Sequence, residues 1–219
     1  MNYKLLRGGH LPDRKCREIV ELFCDDLTAT QIADISGVSR VTVNNYFRVI
    51  RSVIAAFCED GAGQQPHVLN PGAVGDSSAC YGFRLHKGKV ATAWLRGICF
   101  TMVQQLYREN TAENGKTIPG LDGYHAVADC SNWQLYWPAE NDTASSAVNA
   151  LPEITVFWKY IKSRLQKFRG MNKSTLYLHI KECEFRYNFR DNDVLAVLTG
   201  IINSRHYLIN SSDNNYVSA

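Results

Sequence analysis

A chain of 219 residues with 45% hydrophobic content can bury a real core, and it partitions naturally into a small N-terminal module and one larger domain. No apolar run approaches a membrane span and the start Met1-Asn2-Tyr3-Lys4 lacks a secretory hydrophobic region, so a soluble, cytoplasmic protein without membrane partners is expected. The net charge of +3 is mild but unevenly spread: residues 58–157 carry six basic against ten acidic residues, whereas residues 158–190 carry nine Lys or Arg against two Glu. A clustered positive surface attracts phosphate, and an acidic middle suits a site that collects divalent cations.

From the N-terminus, residues 1–12 read as an arm, and Asp13 is placed to cap a first helix whose apolar positions are Cys16, Ile19, Val20 and Phe23. Thr28-Ala29-Thr30-Gln31 is a capping box opening a second helix, with Ile32, Ala33 and Ile35 facing inward. Gly37 supplies a turn, Val38 pins it, and Ser39 caps a third helix with inner residues Val43, Phe47, Ile50 and Ile54. Its outer residues are Arg40, Thr42, Asn44, Asn45, Arg48 and Arg51. Such a helix suits a DNA groove: Arg donates two bonds to guanine, Asn pairs with adenine, and Thr meets a phosphate or a thymine methyl. A small helical bundle that binds protein is the competing reading.

Residues 58–79 have linker composition, rich in Gly, Pro, Ser, Gln and Asn. Two β-prone runs, Tyr81 to His86 and Lys89 to Leu95, flank Lys87-Gly88 and predict a hairpin. Trp133, Tyr136 and Trp137 form an aromatic-rich core segment, Asp129 and Asp142 lie in polar, loop-like surroundings, and residues 139–150 are a soft loop. Beyond it, Trp158, Ile161, Leu165 and Phe168 line one face of a helix, which should pack on the hairpin, while Lys159, Lys162 and Arg169 line another. Lys159, Arg164, Lys167 and Arg169 are the DNA-binding candidates here, with a solvated helix face as the alternative. Glu182 and Glu184 are expected to pair with Lys181 and Arg186.

Strands followed by helices predict an α+β domain with helices packed on a sheet. The expected organisation is a module at 1–57, a linker at 58–79, a domain at 80–205 and a tail at 206–219. The seven cysteines contain no Cys-x-x-Cys pair and are expected to be reduced thiols.

The order of these blocks, from the Thr28–Ile54 pattern through Asp122-Gly123-Tyr124 to Phe157-Trp158 and Lys181-Glu182-Cys183-Glu184-Phe185-Arg186-Tyr187-Asn188, resembles insertion-sequence transposases of the ISXO-like group within the DDE superfamily. The resemblance implies a helix-turn-helix module followed by a ribonuclease-H-like domain, here reduced or incomplete. It further implies binding of double-stranded DNA at element ends, metal-dependent strand cleavage and transfer, Mg²⁺ or Mn²⁺ as cofactor, and a homo-oligomer as the working form. In family terms Asp122 matches the second carboxylate, Asp76 stands in for the first, and both would be metal ligands. Lys162 matches a family lysine four residues after the Trp. Ala150, Pro152 and Thr155 occupy the positions of the family's His, Asn and Glu. Thr155 cannot replace a carboxylate, and Glu153 lies roughly 200° away from it around a helix. The expected catalytic set is therefore Asp122, Asp76, Glu153 and Lys162, in an impaired or inactive nuclease. The alternatives are a catalytically inactive derivative acting as a DNA-binding or regulatory protein, and a helix-turn-helix protein with an unrelated effector domain.

Overall fold

The computed structural model describes residues 5, 11–62, 80–95, 123–137, 151–165 and 173–204. They fall into two compact units, one within Met1–Gly61 and Ser174–Ala219, the other within Ala62–Lys173.

The helical unit begins with α1 (Asp13–Cys24), whose Cys16, Ile19, Val20 and Phe23 are buried. Pro12, not Asp13, is its N-cap, and no side chain caps it. The Pro12 carbonyl accepts the Lys15 and Cys16 N–H groups, so Asp13 becomes the first helical residue and favours the helix by its charge at the positive end of the dipole. Helix α2 (Ala29–Ser36) carries the expected capping box between Thr28 and Gln31, and it ends at Gly37, whose φ of 68° is a left-handed cap that favours glycine. Ile32 is buried, but Ile35 is 57% exposed, contrary to expectation. Ser36, four residues after Ile32, takes the inner place, and its hydroxyl accepts the Val38 N–H at 3.2 Å.

Helix α3 (Arg40–Ala62) starts under the Ser39 hydroxyl, which accepts the Thr42 N–H at 3.2 Å, and buries Val43, Phe47, Ile50 and Ile54. It continues past residue 57, where the linker was expected. The unit is completed by α5 (Lys173–Asn188) and α6 (Val194–Asn203), the latter capped by Asp193, which accepts the Ala196 N–H. Phe185, Leu198, Ile201 and Ile202 share one core with Ile19, Val20, Phe23 and Ile54. The C-terminal helices therefore pack with the N-terminal ones rather than within a domain running from 80 to 205. Their apolar residues find the larger matching surface there, and closing a longer loop adds little entropy.

The sheet unit is a four-stranded antiparallel sheet in the order β2-β1-β3-β4, formed by β1 (Cys80–His86), β2 (Lys89–Trp94), β3 (Ala126–Asp129) and β4 (Gln134–Tyr136). The predicted hairpin is present in register, Tyr81 opposite Trp94 and His86 opposite Lys89. Lys87 and Gly88 have φ of 50° and 74°, the two positive values of a tight hairpin turn matched to strand twist. Gly82 of β1 is required by a close approach: a Cβ there would lie 2.5 Å from the Tyr124 ring. Helix α4 (Pro152–Leu165) packs on β1 and β2. Trp158, Ile161 and Leu165 are buried as expected, with the Phe83 ring 5.4 Å from Phe157 and 6.0 Å from Trp158. Phe168 lies outside the described residues.

The described residues thus form an α+β protein. Their six cysteines are free thiols.

Candidate nucleic-acid interface

Helix α3 presents its outer face by simple rotation. At 100° per residue, Arg40, Val41, Asn44, Asn45 and Arg48 cover an arc of roughly 140° opposite Val43 and Ile50, and all five are exposed. Val41, 71% exposed, was not among the sequence candidates. An apolar branched side chain in an otherwise polar arc is the signal that could have found it, and such a group suits a thymine methyl. Thr42 is half-buried, and its hydroxyl is 2.9 Å from that of Ser39.

Arg51 falls within this arc by rotation, between Arg40 and Asn44, yet its side chain turns inward: its guanidinium sits 5.0 Å from the Phe47 ring centroid and 5.9 Å from that of Phe23. Its Nε donates to Glu182 Oε2 at 2.7 Å, and the side chain is 18% exposed. Arg51 is thus held inside the helical unit rather than presented with Arg48.

The same correction applies to part of the basic C-terminal block. Glu182 also accepts from Arg186 Nε at 2.8 Å, while the other Arg186 nitrogens donate to the carbonyls of Phe23 at 2.6 Å and Cys24 at 3.1 Å. Lys181 Nζ donates to Glu184 at 3.0 Å, with both side chains buried. The acids pair with the expected neighbours, but inside the unit instead of on its surface. Burial works against both charged forms. For Lys181 the Glu184 carboxylate outweighs it and raises the ammonium's pKa; for Glu182 the charges and hydrogen bonds of Arg51 and Arg186 outweigh it and hold the carboxyl at about 2.

A carboxyl whose folded pKa lies below its ordinary value of 4.5 stabilises the fold fully above that value and loses the contribution as pH falls through about 2. The helical unit should therefore lose on the order of 3 kcal/mol from this group between pH 4.5 and 2. Urea denaturation at stepped pH checks this, and Glu182→Gln should flatten that part of the profile. An unchanged profile in the variant would count against the assignment.

On α4, Lys159 is exposed, while Lys162 and Arg164 are half-buried. Lys162 Nζ lies 6.0 Å from the Trp158 ring centroid, and the Arg164 guanidinium lies 5.5 Å from that of Tyr160. Trp158 is stacked by Trp133, with ring centroids 6.0 Å apart. Lys167 and Arg169 lie outside the described residues, as do Asp76 and Asp122. Glu153 is exposed in the first turn of α4. The Thr155 hydroxyl donates back to the Leu151 carbonyl at 3.4 Å. Asp129, expected in a loop, is buried at the end of β3, where its carboxylate accepts the Ser131 and Asn132 N–H groups and the Asn132 side-chain amide. It holds the β3–β4 turn. Among the described residues no three His, Cys, Asp or Glu side chains converge to hold a metal ion. No helix among them is long and apolar enough to cross a membrane.

The class defined by these features is an α+β protein whose helical unit sets a capped helix, a left-handed glycine and a polar-faced helix in succession. The chain is 45% identical over 102 residues to an uncharacterized transposase-like protein of Haemophilus influenzae, a match that covers 47% of this chain and 83% of the relative. The chain belongs to the family of that transposase-like protein. No family model and no solved structure matches it.

Proposed function

We propose that this chain is a transposase of a bacterial insertion sequence, of the ISXO-like group and DDE superfamily, that binds double-stranded element-end DNA through a helix-turn-helix formed by α2, Gly37 and α3. The observation that carries the reading is the exposed arc of Arg40, Asn44, Asn45 and Arg48 on a helix whose opposite face is fully buried. The family's transposase-like relative supports it. In this reading the sheet unit is the reduced counterpart of a ribonuclease-H-like domain, with Lys159 and Arg164 of α4 as auxiliary phosphate contacts.

Cleavage and transfer in this reading are impaired. Glu153 faces solvent and Thr155 supplies a hydroxyl where a carboxylate is needed, so the described residues do not fit a divalent-metal site. The second reading, a catalytically inactive derivative that binds or regulates DNA, is favoured by that same Thr155.

Arg40→Ala and Asn44→Ala should each weaken binding to element ends, a good bidentate base contact being worth about 1–3 kcal/mol of discrimination. A gel-shift series tests this. Unchanged binding in both variants, with loss in Arg164→Ala, would move the reading surface from α3 to α4. Incubation of labelled element ends with Mn²⁺ separates the two readings: robust cleavage that disappears in Asp122→Asn would show an active nuclease.

A further inference from the structure

We propose that Glu182 of α5 is a positioning residue for the DNA-reading helix α3, and that the Arg51–Glu182–Arg186 triad sets the orientation on which sequence discrimination depends; this rests on the reading of α3 given above. The triad ties three helices at one carboxylate. Arg51 of α3 reaches Glu182 Oε2, and Arg186 reaches Oε1 while binding the last carbonyls of α1 through its other nitrogens. The anchor sits one turn after Arg48, the last exposed residue of the proposed reading arc. Arg51 is held from a second direction by the Phe23 and Phe47 rings, so its guanidinium plane is fixed as well as its charge.

Stability alone does not account for such an arrangement. Removing charges from water is costly, and an apolar trio of similar volume often folds as well or better. What directional bonds supply and apolar packing does not is a single angular setting, and base-edge hydrogen bonds need donors and acceptors placed within a narrow range of distances. Phosphate contacts tolerate more, because they follow charge. Loosening the triad should therefore cost discrimination and leave non-specific affinity in place.

The test uses the full chain, a duplex recovered by the wild-type protein from a randomised pool, and a random-sequence duplex of equal length. The triple replacement Arg51→Met/Glu182→Leu/Arg186→Met removes every triad charge at once and should stay folded at the assay temperature, its melting temperature lowered only by the loss of the Arg186 bonds to the Phe23 and Cys24 carbonyls. Its affinity for the selected duplex should fall at least tenfold, with affinity for the random duplex and the salt slope unchanged. Glu182→Asp, whose shorter carboxylate cannot reach both arginines, should lose discrimination in the same direction where melting shows it folded. A triad that served folding alone would lower both affinities together, in step with the folded fraction. A folded triple variant that discriminates like wild type overturns the proposal, and so does a triple variant that fails to fold. A salt slope reduced by about 1 would show that Arg51 contacts phosphate directly, and would overturn it too. If the wild-type protein recovers no preferred duplex, the reading of α3 falls and this inference falls with it; the other outcomes leave that reading standing.

Discussion

A chain ending at Lys173 should lose the fold of its helical unit while keeping that of the sheet unit. Such a truncation removes Phe185, Leu198, Ile201 and Ile202 from the core shared with Ile19, Phe23 and Ile54. Deleting a single large core side chain costs about 2–5 kcal/mol, so four together, roughly 8–20 kcal/mol, are enough to cancel the roughly 5–15 kcal/mol by which a domain is stable. The loss is compounded at α1, whose Phe23 and Cys24 carbonyls lose Arg186, and at α3, whose Arg51 loses its carboxylate. All four tryptophans, 94, 133, 137 and 158, belong to the sheet unit, so their fluorescence follows that unit by itself. Amide hydrogen exchange should show α1 to α3 unprotected in the truncated chain, with the tryptophan unfolding transition retained. Protection of those helices equal to that in the full chain would mean that residues 13–62 fold without α5 and α6.

Trp158→Ala should destabilise the sheet unit by about 3–5 kcal/mol, the usual cost of removing a large buried aromatic. The indole lies between Phe83 of β1 and Trp133 at the β3–β4 turn, so one side chain joins α4 to an inner strand and to that turn. Trp133 adopts this place with a φ of 56°, a conformation that bulky residues rarely adopt, and its stacking on Trp158 offsets part of that strain. The melting temperature followed by fluorescence should fall by more than about 10 °C. A shift of only a degree or two would show that α4 contributes little to the sheet's stability.

Local signals in the sequence translated into structure where the physics was local. The Thr28–Gln31 capping box, the Ser39 cap, the Gly37 turn and the Lys87-Gly88 hairpin each depend on residues no more than a few positions apart, and each is present. Strands β3 and β4, four and three residues long, are too short to show a period, and Asp129 therefore read as a loop residue. The pairing of the α5 charges was read correctly, but their burial was not. A Lys-Glu-x-Glu-x-Arg run has the spacing of a solvated helix face, and only Arg51, 131 positions upstream, and the α1 carbonyls reveal it as an interior lock. The exposed face of α3 was legible because the helix buries the opposite face completely, which defines the rest by rotation; Arg51, which rotation also places there, is drawn inward by Glu182 from a distant helix. Of the proposed metal site, Asp76 and Asp122 lie outside the described residues, and Glu153 is separated by the helical repeat from the position the family resemblance requires.

The split composition of the helical unit sets an order of events during synthesis. Helices α1 to α3 leave the ribosome first, but the apolar surfaces that α5 and α6 will cover stay open until the 112 residues of Ala62–Lys173 have been made. At about 5–20 residues per second that interval is roughly 6–22 s. During it the nascent chain carries exposed Phe23 and Ile54 and an unpartnered Arg51, a state suited to capture by chaperones and poorly suited to grip DNA. The proposed reading helix would thus acquire its final setting only after the intervening unit and the two helices that follow it have been synthesised.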